Sequence, residues 1–380
     1  MARIGPDFVD NRAAGHVRLS TQPIMSILPI IAITPGDPCG IGPEVIARAF
    51  LNDALMPQNK PVTQACFVAG DVGVMQQAAK LVDPEAQKLQ IKVIEKPAQA
   101  LGLPTGVLPV MQVATYLPIR TEPAYGAVQA EAGRFAGECV VWAAQAALRK
   151  EIAAMVTAPL HKEALSAAGA PFNQFPGHTE LLQFEAAAHQ GVSLLDMPVR
   201  MMLANDELRT VLVSIHVALR QALEAVTYDN VLESLRITHQ SLCLLLGRAP
   251  KIAVAGLNPH AGECGLFGRE EIDIIEPAMA QARSEGILAL GPYAPDTVFM
   301  RARQKPHVDP EFDVVLAMYH DQGLIPVKYM GIEQGVNVTL GLPLVRTSPD
   351  HGTAFDIAGQ GRADASSMMA ALKMARQLIP

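Results

Sequence analysis

The chain has 380 residues, of which 50% are hydrophobic and 18% are charged, and its formal net charge is -7. This composition is typical of a globular protein long enough for two domains, and it excludes extensive disorder. The acidic balance and the single Trp argue against a nucleic-acid partner. The negative net charge also means that an anionic substrate would need cations placed locally.

The cysteines and the apolar runs of the sequence indicate in which compartment we expect the protein. The five cysteines are widely separated and form no Cys-x-x-Cys pair, which favours incidental thiols in a reducing cytosol over a disulfide framework or a thiolate zinc site. No apolar run approaches the roughly 18 residues that span a bilayer. Residues 1–26 lack the continuous apolar stretch of a secretory signal, so we predict a flexible N-terminal extension. We expect a cytoplasmic protein without a membrane partner.

Short apolar runs alternate with longer helix-like stretches along the chain, as in an α/β protein. The predicted strands are Ile30–Thr34, Ala65–Ala69, Ala153–Thr157, Val199–Leu203, Thr210–Ile215, Ile252–Leu257 and Val314–Met318. The predicted helices are Pro43–Leu51, Val128–Arg149, Val217–Leu246, Glu270–Glu285 and Ala365–Leu378. The third helix is long enough to be two helices. Asn205-Asp206 predicts the turn of a hairpin over Val199–Ile215.

A glycine-rich segment, Thr34–Glu44, follows the first predicted strand and opens a helix at Pro43. It matches neither Gly-x-Gly-x-x-Gly nor the Gly-Lys-Ser/Thr ending of a P-loop. A nucleotide site in this chain would therefore be of another type.

The segment Gly177-His178-Thr179-Glu180 offers a glycine beside an imidazole and a hydroxyl. These groups could bind an anion. On local grounds alone, Thr179 as the N-cap of the following helix is the favoured interpretation.

Three histidines, His216, His260 and His320, each follow a predicted strand in a polar context. Ligands bind beyond the carboxyl ends of strands in open α/β sheets, so these loops could converge on one crevice. Neutral imidazoles suit a borderline divalent metal, and Glu263 and Asp321 could hydrogen-bond to such an imidazole and fix its tautomer. The alternative, that each histidine is only hydrogen-bonded in a loop, stays open because the spacing is not a local metal signature.

Two C-terminal segments offer groups for anions and nucleotides. Lys328, Asn337 and Arg346 lie among strand-like residues, where they could bind a phosphate or carboxylate or could form exposed salt bridges instead. The loop Asp350–Gly359 carries Asp356, whose carboxylate can accept hydrogen bonds from a ribose diol and would repel a 2′-phosphate. A turn with a helix-capping Asp is the alternative for this loop.

Together these segments resemble the 4-hydroxythreonine-4-phosphate dehydrogenase family of pyridoxal phosphate biosynthesis. The match covers nearly the whole chain from Ile30 onward and keeps the family's order. Its motifs begin at Gly36 (Gly-Asp-Pro-Cys-Gly-Ile-Gly-Pro-Glu), Gly177 (Gly-His-Thr-Glu), Gly256 (Gly-Leu-Asn-Pro-His-Ala-Gly-Glu), Met318 (Met-Tyr-His-Asp-Gln-Gly), Gly335 and Arg346.

The resemblance implies a two-domain α/β/α fold related to isocitrate and isopropylmalate dehydrogenases. The first α/β domain would comprise residues 27–150 and 300–380, and the second, with dimer contacts, residues 151–299. A homodimer would complete the active site from both subunits. We therefore expect a small phosphorylated hydroxy-acid substrate and no nucleic-acid partner.

The resemblance also implies roles for individual residues. His216, His260 and His320 align with metal ligands shared across the dimer, for zinc, cobalt or magnesium. The substrate-binding positions are His178, Thr179, Lys328, Asn337 and Arg346. The cofactor-binding positions are Gly36, Asp37, His351, Gly352, Thr353 and Asp356, which favour NAD over NADP. The base that takes the hydroxyl proton is predicted to be Asp321 or Lys162.

The expected reaction is the oxidation of 4-phosphohydroxy-L-threonine and decarboxylation to 3-amino-1-hydroxyacetone phosphate. The chain departs from the family at Cys39, Pro176, Val217–Leu219 and Cys264, and Thr157–Leu165 looks closer to paralogues that oxidise four-carbon sugar-acid phosphates. A D-threonate or D-erythronate 4-phosphate dehydrogenase is therefore an alternative. An aromatic cis-dihydrodiol dehydrogenase and a non-catalytic binding protein are less favoured alternatives.

Overall fold

The computed structural model describes residues 29–55, 61–116, 124–305, 308, 310–331 and 334–379. The predicted N-terminal extension, residues 1–26, lies outside the described residues. The strands are β1 Ile31–Thr34, β2 Cys66–Gly70, β3 Gln90–Ile94, β4 Val107–Gln112, β5 Ala154–Thr157, β6 Arg200–Ala204, β7 Arg209–Leu212, β8 Ile252–Ala255, β9 Ala289–Tyr293, β10 Val314–Ala317, β11 Val336–Leu340 and β12 Val345–Pro349. The helices are α1 Gly42–Leu55, α2 Val72–Val82, α3 Ala130–Leu148, α4 Lys162–Ala167, α5 His178–Gln190, α6 Leu219–Glu224, α7 Tyr228–Leu246, α8 Glu276–Ser284, α9 Val298–Ala302, α10 His320–Tyr329 and α11 Ser366–Leu378.

The strands form one sheet in the order β3-β4-β2-β1-β5-β12-β11-β6-β7-β10-β8-β9. Pairing is parallel from β3 to β12 and again from β7 to β9. Between these halves, β11 is antiparallel to β12 and β6, and β6 is antiparallel to β7. These three antiparallel pairings reverse the strand direction, so the two parallel halves run in opposite directions.

Alternate strand residues face different helical layers. Ile31 and Ile33 of β1 belong to a core packed with α1, α11, α7 and α8, whereas Ala32 belongs to a core beneath α3 and α5. A third cluster packs α9 and α10 against the β7–β10 half. The molecule is therefore a three-layer α/β protein, which confirms the predicted fold class.

All seven predicted strands are present, with ends displaced by a few residues. The predicted hairpin is confirmed by β6 and β7, whose turn is closed where Asn205 Oδ1 accepts hydrogen bonds from the amides of Glu207 and Leu208. The long third helix is two helices, and Thr227 caps the second by accepting a hydrogen bond from the amide of Asn230.

Five further strands escaped the sequence prediction. Strand β3 is an edge strand with three exposed residues, and both β4 and β9 contain a proline, which is rare in sheets. Strands β11 and β12 mix apolar residues with Asn, Thr, Arg and Ser, so neither shows a clean apolar run.

The sheet also locates the predicted domain segments. Strand β5, from the predicted second domain, lies between β1 and β12 of the first. Strand β10, predicted in the first domain, lies between β7 and β8 of the second. The division into domains itself stays a prediction. In the part of the chain that the structure describes, no helix combines the length and apolar character needed to cross a membrane.

Candidate functional site

A cleft of about 600 Å³ collects most of the residues that the sequence singled out. It is lined by all five predicted substrate-binding residues, His178, Thr179, Lys328, Asn337 and Arg346. Lys162, His216, His351 and Gly352 also line it. The cleft therefore joins positions up to 195 residues apart in sequence, from Thr157 to Gly352.

Arg346 provides a buried cation at this cleft. It lies on β12 and is 4% exposed, and its Nε and Nη2 donate to the hydroxyl of Thr157 at 3.1 and 2.7 Å. Its Nη1 donates to the hydroxyl of Thr339 at 3.1 Å. Burial lowers the pKa of Arg346 to about 10, so the guanidinium stays charged at neutral pH. Because these neutral hydroxyls orient the fork without balancing its charge, the cleft favours an anion.

Lys328 and Asn337 flank the same cleft. Lys328 Nζ lies 2.7 Å from Asp350 Oδ2, and its side chain is 38% exposed. Lys328 therefore forms an ion pair and also lines the cleft, whereas Arg346 bonds to hydroxyl groups, so the salt-bridge alternative is wrong for Arg346. Asn337 lies near the start of β11 and lines the cleft with a neutral amide.

The first turn of α5 forms another wall of the cleft. This helix begins at His178 with Gly177 as its N-cap, so the prediction that Thr179 is the N-cap is wrong. A helix N-terminus favours negative charge. Desolvation, followed by the charges of Arg346 and Lys162, holds the pKa of His178 well below its usual 6.5. His178 Nε2 is buried and has no hydrogen-bond partner among the described residues, so a neutral imidazole is left for a ligand.

His216 and His320 form a pair beside the cleft. Their ring centroids are 5.5 Å apart with an interplanar angle of 48°. Val213 N and Ser214 N donate to Ala317 O and Met318 O, which extends the pairing of β7 and β10 up to the two histidines. His320 Nδ1 lies 2.7 Å from Asp321 Oδ1, as predicted for a partner that fixes the tautomer and leaves Nε2 available. Desolvation, Lys162 and His320 lower the pKa of His216, which favours its neutral form.

His260 lies apart from this pair, on the turn Pro259–Gly265 after β8. Its ring neighbours Phe267, with centroids 6.1 Å apart. The φ angles from His260 to Cys264 are 53°, 53°, 80°, 43° and 54°, a left-handed run that is costly for side chains other than glycine. Within the described residues of this chain, no three His, Cys, Asp or Glu side chains are grouped to hold a metal. The structure thus brings two of the three predicted ligands together.

The carboxyl ends of β7, β10 and β8, which precede His216, His320 and His260, lie at one end of the sheet, because these strands pair in parallel. Strand β5 runs opposite to β7, β8 and β10, because three antiparallel pairings lie between them. The carboxyl ends that precede Lys162 and His216 therefore belong to opposite edges of the sheet. These residues nevertheless line one cleft, to which the antiparallel centre contributes Met201, Asn337 and Arg346.

The two candidate bases have different surroundings. Lys162 opens α4, is exposed and lines the cleft, and its charge acts on both His178 and His216. Asp321 is exposed, pairs with His320 and is not part of the cleft wall. Lys162 is therefore better placed to meet a substrate, and Asp321 is better placed to orient His320.

The predicted cofactor residues lie on two loops that pack together. Ile41 N donates to Thr353 O at 3.0 Å, and a Cβ on Gly40 would meet Thr353 O at 2.8 Å. Asp37 is fully buried, and burial raises its pKa to about 6. Asp356 is exposed, and α11 begins at Ser366 with Ala365 before it, so the alternative in which Asp356 caps this helix is wrong.

Thr157, Thr339 and Glu180 are functional candidates that sequence reasoning did not single out. Thr157 and Thr339 hold the Arg346 fork, and Glu180 lines the cleft, where its charge partly offsets the lowering of the pKa of His216 and Arg346 by burial. Thr157, as the polar last residue of an apolar strand, was the available signal. Thr339 gave no such signal, and Glu180 is the last residue of the Gly177–Glu180 segment, in which only the glycine, the imidazole and the hydroxyl were considered.

Comparisons with known proteins agree along most of the chain. The model of the family described as pyridoxal phosphate biosynthetic protein PdxA matches residues 62–375. The 4-hydroxythreonine-4-phosphate dehydrogenase of Beijerinckia indica is 48% identical over 348 residues, 92% of this chain and 94% of the relative. The D-threonate 4-phosphate dehydrogenase of Salmonella typhimurium is 42% identical over 349 residues, 92% and 98% of the two chains. A crystal structure of 4-hydroxythreonine-4-phosphate dehydrogenase from Klebsiella pneumoniae superposes with a TM-score of 0.78 at 37% identity, covering 92% of this chain and 98% of that one.

Proposed function

The chain belongs to the family of the pyridoxal phosphate biosynthetic protein PdxA and is an oxidoreductase, and we propose that it oxidises a four-carbon phosphorylated hydroxy acid with NAD. The observation that carries this proposal is the buried fork of Arg346, oriented by two threonine hydroxyls at the cleft. A phosphate or carboxylate can supply the balancing charge that those hydroxyls do not.

Our first candidate substrate is 4-phosphohydroxy-L-threonine. Arg346 and Lys328 supply cationic donors for its phosphate or carboxylate, and the start of α5 favours the same charge. Neutral His178 can donate or accept one hydrogen bond without adding charge. Several fixed contacts on one small molecule orient its secondary hydroxyl, which lowers the entropic part of the barrier.

The proposed chemistry is loss of a hydride from the carbon that bears the secondary hydroxyl and loss of that hydroxyl's proton. When bound, NAD would accept the hydride, and a divalent metal would polarise the oxygen. Lys162 lies at the cleft to take the proton, which requires its neutral amine. The product is a β-keto acid, in which the bond to the carboxylate breaks, carbon dioxide leaves and the electron pair passes to the ketone as an enol. Protonation of that enol at carbon gives 3-amino-1-hydroxyacetone phosphate.

We further propose that the metal is held by His216 and His320 of one subunit together with His260 of a second subunit in a homodimer. The facing imidazoles of His216 and His320 are suitable donors for zinc or cobalt. The position of His260 away from this pair supports a set of metal ligands divided between two subunits. For the cofactor, Asp356 is exposed on the loop whose start lines the cleft, where a carboxylate suits the ribose diol of NAD more than the 2′-phosphate of NADP.

A second candidate substrate is D-threonate 4-phosphate, supported by the 42% identity to a relative of that name. It carries a hydroxyl where 4-phosphohydroxy-threonine carries an amine, and both offer the same phosphate and carboxylate. An aromatic cis-dihydrodiol is less favoured because it lacks the phosphate for which Arg346 and Lys328 are suited.

The deciding experiment follows NADH formation with 4-phosphohydroxy-L-threonine, D-threonate 4-phosphate and a cis-dihydrodiol, with and without chelator. We expect turnover of one phosphorylated substrate and its loss on chelation. Turnover of the dihydrodiol alone would refute the anion-site argument. Activity unchanged by chelator and in His260→Ala would refute the metal assignment.

A further inference from the structure

The turn that carries His260 wraps around one buried carboxylate, that of Glu271. This side chain is 2% exposed, and its Oε1 accepts hydrogen bonds from the amides of Leu257 and Asn258 at 2.7 and 2.8 Å. Its Oε2 accepts from Asn258 Nδ2 at 3.0 Å. The carboxylate thus satisfies three donors at the start of the turn.

The same carboxylate lies close to Gly262 of this turn and, together with Ala261, to Gly256 before it. A Cβ on Gly262 would lie 2.6 Å from Glu271 Oε2, and a Cβ on Gly256 would lie 3.0 Å from Oε1. The backbone therefore approaches both oxygens of the carboxylate, and at Gly262 a Cβ would overlap one of them. A left-handed run is unfavourable by itself, so it needs surrounding contacts such as these to persist.

A second side chain ties this turn to the element that carries His320. Gln322 Nε2 donates to Gly256 O at 2.8 Å, and its Oε1 accepts from Met318 N at 2.7 Å. Gly256 follows β8 and Met318 follows β10, the strand paired with β8. One amide group therefore joins the ends of the two strands that lead to His260 and His320.

From these contacts we propose that Glu271 and Gln322 are positioning residues that hold the His260 turn and the start of the His320 helix in one fixed relation. Neither side chain is among the predicted metal ligands, and each acts through the backbone of a segment that bears a histidine. The inference rests on the proposed function, in which these histidines bind a metal. Each metal site takes His320 from one subunit and His260 from the other, so fixing both segments in the metal-free protein reduces the ordering that metal binding would otherwise require at each site.

The first test measures Co²⁺ binding by visible absorption in the full-length protein and its variants. Glu271→Gln removes the charge at nearly constant shape, and Gln322→Leu removes both hydrogen bonds from a partly exposed site. Glu276→Gln, an exposed carboxylate at the start of α8, is the matched control. We expect Co²⁺ affinity to fall roughly 10- to 100-fold in the first two variants, as for other partners of metal ligands, and to stay unchanged in the control.

The second test needs no metal. In the metal-free protein labelled with ¹³Cε1-histidine, the His260 signal, assigned with His260→Gln, should be dispersed in the wild type and in Glu276→Gln. It should move toward the free-histidine position in Glu271→Gln and in Gln322→Leu. Calorimetry shows whether a variant still folds. If Glu271→Gln does not fold, Gln322→Leu tests the proposal alone, because it perturbs the core least.

The outcomes separate the two claims. If the wild type binds Co²⁺ and both variants fold, an unchanged Co²⁺ affinity in both variants would overturn the positioning role. If the wild type binds no Co²⁺, the metal assignment fails, and the histidine signal decides alone. A signal unchanged by both substitutions then overturns the inference, and a displaced signal in both upholds it.

Discussion

At the scale of single residues, the main feature is a buried Arg346 whose hydrogen-bond partners are neutral. Sequence reasoning found Arg346 as a candidate but could not decide whether it was exposed and paired. The deciding partner, Thr157, is 189 positions away in the chain. The same was undecided for Lys328, which is partly exposed and forms an ion pair with Asp350. The residue types were therefore predictable, whereas their electrostatic state depended on strand pairing that no local pattern encodes.

Arg346→Lys should weaken substrate binding, because an ammonium cannot reproduce the fork held by the two hydroxyls. Loss of a charge-assisted hydrogen bond costs about 1.5–3 kcal/mol, or roughly a 10- to 100-fold rise in KM for the phosphorylated substrate. Arg200→Lys is the control, since Arg200 pairs with Glu233 and lies outside the cleft. Equal KM values for Arg346→Lys and the wild type would remove Arg346 from the anion site.

Asp37 gives a prediction for the pH dependence of stability. Burial raises its pKa from 3.8 to about 6, so between these values the folded state binds more protons than the unfolded state. Stability contributed by Asp37 is therefore present below pH 3.8 and is lost as the pH rises through about 6. Asp37→Asn, which keeps an oxygen for the amide of Cys39, does not titrate and should avoid this loss.

The measurement is the free energy of unfolding of Asp37→Asn and the wild type at pH 4.5 and pH 8. At about 1.4 kcal/mol per pKa unit, the advantage of the variant should grow by about 2 kcal/mol from pH 4.5 to pH 8, because roughly 1 kcal/mol of the effect is already lost at pH 4.5. Asp229→Asn, at the exposed first turn of α7, is the control. An advantage that stays constant with pH would show that the Asp37 carboxyl does not titrate as described.

At the scale of elements, the sequence predicted what depends on regular periodicity. Apolar runs located seven strands, and the excessive length of one apolar-periodic stretch correctly indicated two helices. What escaped prediction depends on neighbours in space. Strands β11 and β12 occupy the centre of the sheet although half their residues are polar, because Arg346, Thr339 and Asn337 serve the cleft or its partners there. The left-handed turn at His260 was also hidden, since only Gly262 among His260–Cys264 is a residue that favours positive φ.

Two glycine substitutions test how tightly that turn is packed. Gly247 ends α7 at φ 65° with open space around a Cβ, whereas a Cβ on Gly262, at φ 80°, would meet Glu271 Oε2 at 2.6 Å. Gly247→Ala should cost about 1 kcal/mol of unfolding free energy from backbone strain alone. Gly262→Ala adds a steric conflict and should cost about 3 kcal/mol. Urea denaturation measures both, and equal losses would contradict the close approach of Glu271.

At the scale of the whole molecule, one subunit brings His216 and His320 together and leaves His260 elsewhere. The proposed homodimer accounts for this arrangement, because a two-fold interface can bring His260 of one copy to the histidine pair of the other. Exposed apolar side chains close to His216 in sequence, Val217 at 52% and Leu219 at 62%, fit a surface that is covered in such a dimer. Dilution to monomer should then abolish metal-dependent turnover, as measured by activity and sedimentation over the same concentrations.

Mixing two inactive variants tests the division of the ligands more directly. In a mixed dimer of His216→Ala and His260→Ala, one site carries both substitutions, while the other combines an intact His216–His320 pair with an intact His260. Random exchange of subunits makes half of the dimers mixed, so about a quarter of wild-type activity should return. His216→Ala mixed with His320→Ala is the control, because these two histidines belong to one subunit's pair and every site then lacks a ligand. Recovery of activity in the control mixture as well would contradict this division of the ligands, and so would recovery in neither mixture. The two mixtures differ only if His260 comes from the partner subunit.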